Sequence, residues 1–155
     1  MAGRMKGVPE GFHTVTPYLV VGDAAGTIEF YKEAFGATEL FRQADADGRV
    51  RHAEVVIGDS PVMLTDEAPE FGMSGPLVMG GSPVSIFLYV EDADDLFDQA
   101  IAAGAEEVEA VKDQPEGDRR GGVRDPFGYT WWLATQTEDI SRAEMQKRFE
   151  SLVDQ

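Results

Sequence analysis

Two stretches, TPYLVVGDAAGTIEFYKEAFGA at residues 16 to 37 and SIFLYVEDADDLFDQAIAAGA at residues 85 to 105, share one grammar. Each opens on a β-rich segment, turns at an aspartate (Asp23, Asp92) and runs into an amphipathic helix closed by Gly-Ala. Asp23 and Asp92 stand where a helix N-cap is wanted, because a short carboxylate can accept from the free backbone N–H groups of the first turn. Ile28, Tyr31 and Phe35 in one copy, and Leu96, Phe97 and Ile101 in the other, recur at helical spacing. Gly36 and Gly104 close the helices, since glycine takes the left-handed C′ conformation at little cost. A repeat of this kind sets the architecture before any single motif is weighed.

Three candidate strands follow each helix. In the first copy they are TELFRQ, RHAEVVI and PVMLTD; in the second, EEVEAVKD, GGVRD and YTWWLATQ, with the turn DPFG before the last. The expectation is an α+β chain of two βαβββ modules, residues 12–67 and 84–137. A Gly-, Pro- and Met-rich linker or flap at 68–83 joins them, and a C-terminal helix occupies 138–155. In that helix Ser141 and Glu144 have capping-box spacing, and Met145, Phe149, Leu152 and Val153 make an apolar stripe suited to packing or dimerisation.

Alternation along strands sorts the side chains. Val15, Pro17, Leu19 and Val21 should pack under the first helix, leaving Thr16, Tyr18 and Val20 on the other face. The equivalent open face of the second copy carries Ser85, Phe87 and Tyr89; Met63 and Thr65 join the first, and Thr130, Trp132 and Ala134 the second. Trp131 should enter the core with Tyr129 and Leu133, so its neighbour Trp132 must point the opposite way. His52 and Glu54, two apart in RHAEVVI, share a face and form a candidate acid–base pair, while Ala53, Val55 and Ile57 turn towards the helix. EGDRRGGVRD reads as a hairpin loop in which Arg119 or Arg120 is a candidate contact for an anionic group.

Composition excludes several function classes. The formal net charge is -16, which repels nucleic acid and anionic membrane and attracts cations. With no cysteine, disulfides, thiolate nucleophiles and cysteine metal sites are ruled out, and the expected compartment is the cytoplasm. No apolar run approaches the length of a membrane span, and MAGRMKGVPEGF lacks the apolar core of an export signal. No GxSxG elbow is present for a serine nucleophile.

The repeat, Phe30-Tyr31 on the first helix, HAEVVIGDSPVMLTDE and VRDPFGYTWWLAT together resemble the vicinal oxygen chelate superfamily. This is the group of glyoxalase I, the bleomycin-resistance proteins and the extradiol dioxygenases, and the similarity spans roughly residues 12 to 137. The chain looks most like its glyoxalase-like branch. The resemblance implies mixed sheets curled into a cup, with substrate bound inside, usually on a divalent metal held by His and Glu from four strands. Carried over one at a time, those ligand positions fall on Thr16, Met63, Ser85 and Trp132.

None of these four supplies a carboxylate or an imidazole, so the expectation is no metal and no cofactor. The resulting reading is a metal-independent protein that holds a small aromatic or cationic molecule. The ligand-lining candidates are Thr16, Tyr18, Met63, Ser85, Phe87, Tyr89, Thr130, Trp132 and Arg120, and the resemblance implies a homodimer. The alternative is a lyase, isomerase or dioxygenase using His52 and Glu54, with or without a metal that His13 would help to hold. A third, blander option is an interaction module whose cup is filled by its own side chains.

Overall fold

The computed structural model describes residues 5–154. The basic MAGR start of the N-terminal reading and Gln155 of the tail lie outside the described residues. The chain divides into two compact units, Met1–Gly81 and Ser82–Gln155.

In the first unit β1 (Tyr18–Val21) leads into α1 (Ala24–Phe35), followed by β2 (Thr38–Ala44), β3 (Val50–Ile57) and β4 (Ser60–Asp66). The sheet order is β1-β4-β3-β2, with β1 parallel to β4 and the other pairs antiparallel. The sheet is open, β1 and β2 forming its two edges. Beyond β4 come a 3-10 turn at Pro69–Phe71 and the short α2 (Pro76–Met79). The second unit repeats the pattern with β5 (Ile86–Tyr89), α3 (Ala93–Ala103), β6 (Glu106–Asp113), β7 (Asp118–Arg124) and β8 (Thr130–Gln136), in the order β5-β8-β7-β6. It ends with α4 (Arg142–Val153). Two mixed four-stranded sheets, each with its own helix, realise the βαβββ repeat.

The punctuation behaves as its chemistry requires. The Asp23 carboxylate accepts from the Gly26 amide and that of Asp92 from the Asp95 amide, while Gly36 and Gly104 adopt φ of 69° and 119°. A second device, absent from the motif reading, is shared by both units. The Ala24 amide donates to Asp66 Oδ1 at 2.6 Å, and the Ala93 amide donates to Thr135 Oγ1 at 2.8 Å. Asp66 and Thr135 hold the same place in the repeat, at the end of the strand parallel to the one that launches the helix. One orphan N–H of each helix start is thereby satisfied by the sheet itself.

The cores follow the alternation. Leu19, Val21, Ala53, Val55 and Leu64 are buried on the helix side of the first sheet, with Ile28, Tyr31 and Phe35 of α1 buried opposite them. In the second unit Val123, Trp131 and Leu133 are fully buried, and Trp131 Nε1 donates to Asp125 Oδ2 at 2.9 Å. That carboxylate also accepts from the Phe127 and Tyr129 amides, so Asp125 fixes the DPFG turn and satisfies the buried indole together.

Three expectations are corrected. β1 starts at Tyr18, so Val15 is 82% exposed and does not pack under α1. Thr65 is on the Met63 face but is buried, and its hydroxyl bonds to backbone oxygens of Val50 and Asp66. Arg119 and Arg120 lie on β7, not in a loop. The turn comes earlier, at Gln114–Gly117, where Gly117 takes a φ of 91° and its amide donates to the Gln114 carbonyl. Placing the strand start before the arginines sends them to opposite faces.

Candidate functional site

Each sheet turns one face to its helix and leaves the other open. In the second unit the register aligns Phe87, Trp132 and Gly122 across β5, β8 and β7, and beside them Tyr89, Ala134 and Arg120. These six positions therefore share the open face. Phe87 and Tyr89 have ring centroids 5.0 Å apart, and they are 42% and 69% exposed. Two such rings side by side form an exposed apolar patch of the kind that marks a contact surface.

Trp132 is half-buried because it lies across Gly122: a Cβ built there would come within 2.5 Å of indole Cζ3. The guanidinium of Arg120 sits 5.7 Å from the Trp132 ring and 5.9 Å from that of Phe87, within cation–π range. Its Nη1 donates to the Glu116 carboxylate, an (i, i+4) pair across the hairpin end, and both side chains are mostly shielded. The Tyr89 hydroxyl donates to Asp118 Oδ2 at 3.4 Å, and Asp118 is buried. Desolvation and then the Asp118 carboxylate raise the Tyr89 phenol above its usual range, so the hydroxyl keeps its proton. A cleft lined by Tyr89, Val90, Glu91, Thr135 and Gln136 adjoins these residues at the ends of β5 and β8.

Ala134, an expected lining residue, is fully buried beneath this surface. Ser85 precedes β5 and is exposed, and Thr130 opens β8, half-buried opposite Arg124. Arg119 faces the other way and binds Asp94 of α3 through Nε and Nη2 at 2.6 and 2.9 Å, a pairing that raises its already high pKa. It stitches strand to helix, whereas Arg120 and, four residues on, Arg124 take the open face.

The open face of the first unit is different in character. Tyr18, Met63, Glu54 and Phe41 are aligned across its four strands, with His52 and Gln43 in the next row. His52 Nε2 lies 3.0 Å from Glu54 Oε1, and the His52 ring is 6.0 Å from Tyr18 and 6.3 Å from Phe41. The pair is half-buried between two exposed aromatic rings. Thr16 stands ahead of β1 and bonds to the His13 carbonyl. His13 itself lies against Asp59 in the β3–β4 turn, 3.2 Å from its carbonyl oxygen, and not with His52.

The segment after β4 is tied down by Arg49. Its Nη2 and Nε donate to the Glu67 carbonyl, and its Nη1 and Nη2 reach Glu70 at 2.6 and 3.1 Å.

Comparison with known proteins identifies this framework. Residues 11–133 match the model of the Glyoxalase/Bleomycin resistance protein/Dioxygenase superfamily. The chain belongs to this superfamily. Among proteins similar to it, Rv0887c of Mycobacterium tuberculosis is 44% identical over 140 residues, spanning 88% of this chain and 82% of that one. The X-ray structure of At5g48480 of Arabidopsis thaliana is 30% identical with a TM-score of 0.64, covering 79% of this chain and 98% of that chain. TioX of Micromonospora sp. ML1 is 28% identical with a TM-score of 0.63, covering 79% and 97%.

Within the glyoxalase superfamily frame, the positions carried over for a divalent metal hold two hydroxyls, a thioether and an indole (Thr16, Ser85, Met63, Trp132). That donor set does not fit a divalent ion, which wants several convergent carboxylate or imidazole ligands. Among the described residues, no group of three or more His, Asp or Glu side chains is placed to hold one. No described helix is long and apolar enough to cross a membrane.

The motif reading reached Phe87, Tyr89, Trp132 and Arg120 but missed Gly122, Glu116, Asp118 and Phe41. The glycine had a signal: paired glycines in a strand mark a close approach, and Gly122 falls opposite Trp132 in the antiparallel register. The two acids had none, because their meaning depends on where the hairpin turns.

Proposed function

We propose that this glyoxalase-superfamily protein binds a small planar aromatic molecule by surface contact on the open face of β5–β8, without a metal. The observation that carries the reading is the half-buried Trp132 laid across Gly122, beside the exposed Phe87 and Tyr89 rings. Rings held flat on a sheet offer large apolar contact at little entropic cost, and Arg120 and the Tyr89 hydroxyl supply the few polar groups that orient a ligand. In this reading indole area does the work that a metal does in metal-using relatives. The experiment is calorimetric titration of metal-stripped protein with 2-naphthamide, for wild type and Trp132→Ala. Saturable binding that weakens at least about tenfold in the variant is expected, on the order of a buried aromatic contact.

A second reading belongs to the first unit. The His52–Glu54 contact between Tyr18 and Phe41 suits proton transfer on an aromatic carbonyl compound, Glu54 orienting the imidazole that removes the proton. It predicts deuterium uptake from D2O at the methyl carbon of acetophenone, lost in His52→Ala. The exposed Phe71, Leu77, Val78 and Met79 support assembly as a homodimer, which light scattering would test. The acidic, cysteine-free composition supports a cytoplasmic location.

A further inference from the structure

We infer that the molecule bound on the β5–β8 face carries a carboxylate, and that Arg120 is the residue that recognises it. The inference rests on the surface-binding reading above and goes further by naming the ligand's charge.

A guanidinium has five N–H donors in a planar fork. Among the described residues, Arg120 makes one hydrogen bond, from Nη1 to Glu116. Its Nε–H and Nη2–H groups make none, although the side chain is only 23% exposed and so has lost most of its water. Arg119, on the adjacent position, is the internal contrast: its Nε and Nη2 both close on one carboxylate, that of Asp94. Arg49 likewise uses Nε, Nη1 and Nη2 together. Arg120 is thus a shielded guanidinium whose fork is largely unengaged, and a planar carboxylate is the group that matches a fork bidentately.

The surroundings fix the rest of the ligand. The guanidinium already occupies the cation position over the Phe87 and Trp132 rings. A ligand cation placed there would meet Arg120's like charge. An aromatic ring next to those side chains, with its carboxylate reaching the guanidinium edge, meets opposite charge there, though it shares Arg120 with Glu116 and lies near the Asp118 carboxylate that holds Tyr89. The net charge of -16 opposes an anion at long range, but that field is screened beyond about 8 Å at physiological salt, and the fork contact is far shorter. Glu116 acts as a resident carboxylate on Nη1, keeping the cation in place between ligands. The ligand class is therefore an aromatic carboxylate, which keeps the aromatic character expected from the lining and replaces the cationic alternative expected from net charge.

The test uses three planar probes of one shape and different charge: 2-naphthoate, 2-naphthamide and 2-naphthamidine. Each is titrated calorimetrically into the full-length protein, as wild type, Arg120→Met and Glu116→Gln. Naphthoate should bind at least about tenfold more tightly than naphthamide, the scale of one charge-assisted bidentate contact. Arg120→Met should erase that advantage, so that naphthoate binds the variant no more tightly than naphthamide does, and a urea melt of the variant shows that it is folded. Glu116→Gln should strengthen naphthoate several-fold by removing the competing carboxylate. Naphthamide or naphthamidine binding as tightly as naphthoate in wild type would overturn the inference and leave the surface-binding reading standing. No binding of any probe at millimolar concentration would overturn both.

Discussion

The indole of Trp132 rests on Gly122 so closely that any side chain there must move it, a Cβ reaching within 2.5 Å of Cζ3. Two neighbouring glycines of one strand thus serve opposite faces. Gly121 is pressed against Val111 and Phe97 on the helix side, where a Cβ would meet Val111 Cγ2 at 2.6 Å.

This separation gives a paired prediction. Gly122→Ala should lift Trp132, shift the tryptophan emission and weaken 2-naphthamide binding, with a small change in melting temperature because the displaced ring faces outward. Gly121→Ala should spare binding and destabilise the fold by about 1–3 kcal/mol, the usual cost of overpacking a core. Binding titrations and urea melts of both variants decide the matter. Equal losses of affinity would contradict the two-face assignment.

The sheet-borne caps predict where stability resides. Asp66 accepts from the Ala24 amide at 2.6 Å and from the Val50 amide at 2.7 Å, so Asp66→Ala orphans two backbone donors. The expected cost is about 2 kcal/mol or more, and about 1–2 kcal/mol for Thr135→Val, which loses the Ala93 contact and the hydroxyl bond to Val90. Urea unfolding measures both. A neutral Asp66→Ala would show that water replaces the carboxylate freely.

The Arg49 clamp predicts an acid-sensitive segment. Hydrogen bonding from Arg49 is the main cause that holds the Glu70 carboxyl at about 2, below its ordinary value of 4.5. A depressed carboxyl contributes above its unfolded pKa and loses that contribution as pH falls through its folded one. The clamp should therefore hold at and above pH 4.5 and release between there and about pH 2. Hydrogen-exchange protection of the Phe71, Gly72 and Met73 amides, which donate to Ala68 and Pro69 carbonyls, reports this directly. Glu70→Gln should show the acid-like protection already at pH 6. Protection lost between pH 7 and 5 in wild type would contradict the assignment.

The fold was legible because its signals are local and come twice. Asp23 and Asp92 as caps, Gly36 and Gly104 as stops, and the split of Trp131 from Trp132 are each dictated by a residue and its near neighbours. The errors sit where pairing partners distant in sequence decide the outcome. Extrapolating alternation past Tyr18 to Val15 assumed a strand where β4 offers no paired register before Met63. Reading Arg119 and Arg120 as loop overlooked that Gly117 could close the hairpin two residues earlier. Asp66 looked like one acid among many, since its role as a cap needs the parallel β1–β4 pairing, 42 residues from the amide it serves. The open faces were legible as aromatic, while the unengaged fork of Arg120 required coordinates.

One calorimetric comparison decides whether this face binds by aromatic surface in place of a metal. Wild-type protein is titrated with 2-naphthoate before and after exhaustive chelation, with bound metal quantified in both samples. The account predicts the same saturable affinity in each, at substoichiometric metal. Binding that disappears on chelation and returns with one equivalent of a divalent metal would contradict it.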